Sequence, residues 1–227
     1  MVEFCGHDTP LHSERQDGDY AWDSFMRDLL CVLEQFDAPP VVVGASLGGL
    51  SAMLAHGKAT EAIMSAVVLV DITPRLERDG VMRIVEFMTG RPDGYASLDE
   101  AADAVAAYNP HRKRAPDPSG LLKNLRLGED GRYRWHWDPR FLTLSGLHPE
   151  HSAPDANRLL AAAAGLDIPT LLVRGQLSDI VSENGVEEFL DAVPHARFVD
   201  VSGAGHMVAG DRNDSFSEAV IEFLRTL

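Results

Sequence analysis

Cysteine is almost missing from this chain of 227 residues, with Cys5 and Cys31 the only two. A pair so far apart excludes a disulfide framework, and the default setting for such a chain is a reducing cytoplasm. Cys31 lies among apolar residues of a helical stretch and reads as a small core residue rather than a reactive thiol. Basic charge is also scarce: 20 Lys and Arg stand against 35 Asp and Glu, a formal net charge of −15. So acidic a surface repels nucleic acid and anionic membranes, which leaves a small molecule as the expected partner. No apolar run reaches the roughly 20 residues a membrane helix needs. The opening Met1-Val2-Glu3-Phe4-Cys5 has neither the basic start nor the apolar core of a secretory signal. Internal repeats are absent. The nine histidines are scattered, with no metal-ligand spacing among them, so neither a metal nor another cofactor is expected.

What the chain does have is alternation. Residues 19–36 read as an amphipathic helix, because Trp22, Phe25, Met26, Leu29, Leu30, Leu33 and Phe36 recur at three- and four-residue steps. Asp37-Ala38-Pro39-Pro40 ends that helix, and Val41-Val42-Val43 is a short buried strand. A second helix, residues 47–56, turns Leu47, Leu50, Met53 and Leu54 inward. The run Ala66-Val67-Val68-Leu69-Val70 has the continuous apolar character of a parallel strand covered on both faces. From about residue 73 to 157 the pattern changes to charged, Pro- and Gly-rich sequence with helix-like stretches at 81–88 and 98–108. Strand–helix alternation then resumes with a strand at 169–174, a helix at 184–192, a strand at 197–201 and a final helix at 213–227. Alternation on either side of an inserted helical block is the pattern of a doubly wound α/β core carrying a cap. The expected division is core at 1–74, cap at 75–157 and core again at 158–227.

Three loops carry chemistry. Gly44-Ala45-Ser46-Leu47-Gly48 joins a β-branched strand directly to a helix, the arrangement that lifts a serine hydroxyl off the sheet edge on a sharp turn. The first amides of the helix, led by Leu47 N–H, then point the positive end of its dipole at any oxyanion formed there. Arg174-Gly175-Gln176-Leu177-Ser178-Asp179 follows a strand and sets Asp179 on the same carboxyl edge. Ser202-Gly203-Ala204-Gly205-His206-Met207 follows the next strand and does the same for His206. A serine needs a base to take its proton as it attacks, imidazole does so near neutral pH, and a carboxylate fixes the imidazole tautomer. Ser46, Asp179 and His206 are therefore the expected nucleophile, acid and base, with Leu47 N–H as oxyanion donor. Asp71 also ends a strand and is the rival acid. Tyr133, Trp135 and Trp137 are expected to form an aromatic substrate wall in the cap. His136, between two tryptophans, is read as a packing residue, and His111-Arg112-Lys113-Arg114 as a solvated face.

These three motifs, in this order, resemble the α/β-hydrolase superfamily, and above all its bacterial cap-bearing members related to epoxide hydrolases, non-haem haloperoxidases and small esterases or lactonases. The resemblance implies the α/β-hydrolase fold, a mostly parallel doubly wound sheet with an inserted helical cap. Members that transfer alkyl groups carry an aspartate at the elbow. Ser46 at that position implies acyl transfer to serine, with a small, fairly apolar ester or lactone as substrate. One departure stands out, since such members begin with further strands and an early His-Gly loop that supplies a second oxyanion donor. Only Phe4-Cys5-Gly6-His7-Asp8 and a few neighbours precede the first helix, too little for βαβ units of about 30 residues each. The expectation is thus a core lacking its N-terminal strands. Two further readings stay open: a truncated, non-catalytic relative that binds a ligand or partner, and cofactor-free haloperoxidase or perhydrolase chemistry on the same triad.

Overall fold

The computed structural model describes residues 20–138, 141 and 156–227. The opening motif at residues 4–8 and much of the end of the inserted block lie outside these. Four strands, β1 (Val41–Ala45), β2 (Ala66–Val70), β5 (Thr170–Gly175) and β6 (Arg197–Val201), form a wholly parallel sheet in the order β1-β2-β5-β6. Each β2 side chain is buried. Val67 and Leu69 join one core cluster, while Ala66, Val68 and Val70 join the other, as the two-residue period of a strand between two helical layers requires.

The first layer holds α1 (Trp22–Leu33), α2 (Leu47–Lys58), α5 (Ala156–Ala164) and α6 (Glu183–Ala192), and the second holds α8 (Asn213–Leu224). Helix α1 buries Met26, Leu29 and Leu33 against α2 and Phe25 against Tyr20 and Phe141, and each side chain taken out of water stabilises the layer by about 1.5–3 kcal/mol. Cys31 is exposed, which corrects its reading as a core residue. Two positions beyond Leu29 on a 3.6-residue helix, it faces away from the buried stripe. Phe36 is exposed as well, because the helix stops at Leu33. Along the outer edge of β1 no strand is paired among the described residues, and Val43 there is half exposed.

Between β2 and α5 the chain forms α3 (Arg78–Thr89), α4 (Leu98–Tyr108), a 3-10 turn (Pro118–Lys123) and an antiparallel hairpin of β3 (Leu125–Leu127) with β4 (Tyr133–Trp135). The hairpin was not anticipated. Its strands are too short to show a period, although Glu129-Asp130-Gly131, with Gly131 at φ +75°, supplies the turn. Tyr95, Ala101 and Leu125 form a small separate core beneath it. A four-residue helix, α7 (Val208–Asp211), follows the His206 loop. Among the described residues no helix is long and apolar enough to cross a membrane.

Candidate active site

Ser46 sits between β1 and α2 at φ 48°, ψ −117°, a backbone conformation that an L-residue adopts only where its surroundings impose it. The surroundings are explicit. Ser46 N–H donates to the Val70 carbonyl at 3.1 Å, and the Ser46 carbonyl accepts from Gly49 and Leu50 to start the helix. A methyl group at Gly44 would lie 2.7 Å from backbone atoms of Gly48 and Gly49, so only glycine lets strand and helix close on the turn. Leu47, the first helical residue, has an amide without an intrahelical acceptor.

His206 hangs from the loop after β6. Its Nδ1 is 2.7 Å from Oδ2 of Asp71, not of Asp179, which corrects the expected partner. Asp71 leaves β2 at φ +49° with no exposed surface. Its N–H is held by the Val173 carbonyl at 2.7 Å. Oδ1 accepts Gly175 N–H at 2.9 Å, and Oδ2 accepts the Ser178 hydroxyl at 2.6 Å beside His206. Ser178 in turn accepts the amides of Ile180 and Val181 at 3.2 Å, so its own proton is directed to Asp71. A carboxylate only accepts, so Nδ1 carries the imidazole proton and Nε2 keeps a lone pair for a donor. Asp179 instead pairs with Arg83 of α3, its Oδ2 lying 2.7 Å from Nη1, with a third of its side chain in solvent. Ser178 is the residue that sequence reasoning passed over. Its signal was its place in the same strand-end loop as Asp179.

Ser46, Leu47 and His206 line one cavity of about 330 Å³. Leu50, Ile72 and Ile180 from the core and Val81, Ile84 and Met88 from α3 make its walls apolar. Among the described residues its aromatic lining is Trp22, Phe87, Tyr108 and Phe141. Tyr133, Trp135 and Trp137 are not among the lining residues, which corrects the expected wall. Trp135 packs behind Phe87 at 5.7 Å between ring centroids and edge-on to Tyr95 at 6.0 Å, and β4 pairs Tyr133 with Leu127. Tyr108 stacks on Phe87 at 4.3 Å. Burial, with Asp179 nearby, pushes its hydroxyl pKa up, so it stays protonated as a neutral donor. His111 to Arg114 are exposed, as a solvated face requires, and from that face His111 Nε2 reaches Asp211 Oδ2 at 3.1 Å while Arg112 Nη1 lies 3.9 Å from Oδ1.

The sequence profile of the alpha/beta hydrolase fold matches residues 3–212. This chain belongs to that family. It is 25% identical over 197 residues to the 3-hydroxybutyrate-oligomer hydrolase of Cupriavidus necator, a match covering 82% of this chain and 66% of that protein. It is 27% identical over 238 residues to the sn-1-specific diacylglycerol lipase ABHD11 of Mus musculus, covering 98% of this chain and 70% of that one. The chain thus spans about two thirds of the length of these relatives. The crystal structure of an esterase from Mycobacterium tuberculosis superposes with a TM-score of 0.74 at 27% identity, over 99% of this chain and 74% of the esterase. The fold and these hydrolase, lipase and esterase relatives mark this α/β-hydrolase as an enzyme of the hydrolase class.

Proposed function

We propose that this α/β-hydrolase is a serine esterase for small, apolar carboxylic esters, with Ser46 as nucleophile, His206 as general base and Asp71 as the acid that orients it. The observation that carries the reading is the 2.7 Å bond between His206 Nδ1 and a fully buried Asp71, with His206 and the strained Ser46 on one cavity. His206 Nε2 takes the Ser46 proton as Oγ attacks the ester carbonyl. The tetrahedral oxyanion is met by Leu47 N–H at the positive end of α2. Collapse expels the alcohol with the proton from Nε2, leaving an acyl-enzyme. Water, deprotonated by the same nitrogen, then releases the acid and restores Ser46.

The substrate class follows from the walls. A cavity of about 330 Å³ lies at the small end of ligand sites, and among the described residues its lining is apolar apart from Ser46, His206, the Tyr108 hydroxyl and the Trp22 indole N–H. Such a pocket favours a short acyl or alkyl chain and penalises a free carboxylate. Oxygen esters fit the relatives' names, a hydroxybutyrate oligomer and a diacylglycerol. The insertion acts as a cap in this reading, with α3 forming one wall.

A fluorophosphonate probe tests it. The parent protein labels covalently and Ser46→Ala does not. Absent labelling of the parent, or equal labelling of both proteins, would return the chain to the class of non-catalytic binders.

A further inference from the structure

Asp211 closes α7, five residues after His206, and its side chain is only 2% exposed. Its Oδ2 accepts Gly205 N–H at 2.9 Å and lies 3.1 Å from Nε2 of His111. Oδ1 makes no hydrogen bond among the described residues and lies 3.9 Å from Nη1 of Arg112. Gly205 is the residue before His206, whereas His111 and Arg112 belong to the insertion. A methyl on Gly205 would meet Cε1 and Nε2 of His111 at 2.7 and 2.8 Å, so that peptide is held between the imidazole and the carboxylate.

The loop needs such a hold. Gly203 adopts φ +72°, and two glycines within three residues make this backbone soft. Toward the core it is held by Leu177 N–H, which donates to the Ala204 carbonyl at 2.8 Å. On the other side, among the described residues, the amide beside His206 donates to Asp211 Oδ2. The bond to Asp71 fixes how the imidazole is turned, but the main chain decides where the ring stands. A buried carboxylate is expensive unless paired, and its pairing here comes from His111 and Arg112. Joining the insertion to the core does not by itself require this arrangement, since Arg83 and Asp179 already join α3 to the loop after β5.

We infer that Asp211 is a positioning residue for His206, and that His111 of the insertion acts through it. The inference rests on the serine-hydrolase reading above. It makes the alignment of the base depend on the insertion that walls the cavity.

The test compares Asp211→Ala, Asp211→Asn and His111→Ala with the parent and Ser46→Ala, in the full chain, using p-nitrophenyl acetate and butyrate. Removing the carboxylate lowers kcat by about 10²-fold with KM within about twofold, the effect of a base displaced by roughly 1 Å. Asp211→Asn keeps an oxygen for Gly205 N–H and recovers most of the loss. His111→Ala lowers kcat by about tenfold. The low-field proton resonance of the His206–Asp71 hydrogen bond shifts or broadens in Asp211→Ala, a change that lost stability alone would not produce.

Unchanged kcat in both Asp211→Ala and His111→Ala, with that resonance unmoved, would overturn the inference. A rise in KM at constant kcat would do the same, because it would assign Asp211 to the substrate wall. If Asp211→Ala does not fold, Asp211→Asn and His111→Ala decide by the same measures. A parent that neither turns over ester nor labels with fluorophosphonate defeats the esterase reading instead, and the resonance still decides the placement of His206.

Discussion

Asp71 and Asp179 leave neighbouring strands of one parallel sheet toward the same edge, yet they live in different solvents. Asp71 has no exposed surface, adopts a left-handed backbone and accepts from a backbone amide, a hydroxyl and an imidazole. Asp179 keeps a third of its side chain in water and makes one ion pair with Arg83. A carboxylate that must hold a charged imidazole gains from the first setting, where fixed dipoles replace water and need no reorganisation as charge develops. The second setting suits a surface clasp. What separates the two is burial with complete pairing, not the distance along the chain from a strand end.

The sharpest way to break that contrast is to neutralise each acid. Asp71→Asn leaves the shape intact but presents an amide to Nδ1, which favours the wrong tautomer of His206. By analogy with the same change in a serine protease, kcat for p-nitrophenyl acetate falls by about 10⁴-fold. A loss under about tenfold would remove Asp71 from the proposed mechanism. Gly80→Val probes the other corner through packing. A Cβ at Gly80 of α3 would lie 2.0 Å from the Asp179 carbonyl oxygen, so helix or loop must move. Overpacking of this kind costs about 1–3 kcal/mol, which lowers Tm by roughly 3–10 °C in a chain of this size. Differential scanning calorimetry reads it, and an unchanged Tm would mean that α3 does not bear on this loop.

Asp179→Asn is expected to be mild. Its ion pair is half exposed on the Arg83 side and worth at most about 1 kcal/mol. Since α3 carries Val81, Ile84 and Met88 of the cavity wall, the effect appears in KM, by up to about fivefold, while kcat holds. A loss in kcat comparable to that of Asp71→Asn would restore Asp179 as the acid.

The difference between the two corners also explains what the sequence could carry. Ser46 was legible because its elbow is local: strand, tight turn and helix are contiguous, and Gly44 answers to Gly48 and Gly49 a few residues away. Helix α4 was legible to the residue because its start is local too. Glu100 N–H donates to the Ser97 hydroxyl at 3.1 Å, while the Glu100 carboxylate accepts Ala96 N–H at 2.6 Å. The choice of acid was not local. Asp71 is completed by Gly175 and Ser178, more than 100 residues later, and nothing in either strand-end pattern records which carboxylate the sheet will enclose. The aromatic wall failed for the same reason. Tyr133 and Trp135 looked like lining by composition, but the unanticipated hairpin turns them toward Tyr95 and Phe87, leaving Phe87 and Tyr108 on the cavity.

A third carboxylate sharpens the contrast, because it has more cations than either and less burial than Asp71. Asp23 of α1 takes Lys58 of α2 at 2.6 Å and also pairs with Arg158 of α5, tying three helices of one layer together. The Arg158 and Lys58 hydrogen bonds hold its pKa down, from 3.8 to about 2. Its side chain is 42% exposed, however, so water screens both pairs and the joint contribution is about 1 kcal/mol or less. Because the folded state holds the pKa below its unfolded value, that stability is present in full above about pH 4. It fades as pH falls toward 2 and the carboxylate protonates. Asp23→Asn therefore lowers Tm at pH 7 by about 1–4 °C, and the gap to the parent narrows steadily below pH 4. Activity at pH 7 is unchanged, since Asp23 does not line the cavity. If the Tm gap were instead independent of pH down to 2, the two cations would not be acting on a charge at all. Helix capping or packing by Asp23 would then have to account for the link, and pairing without burial would drop out of the comparison.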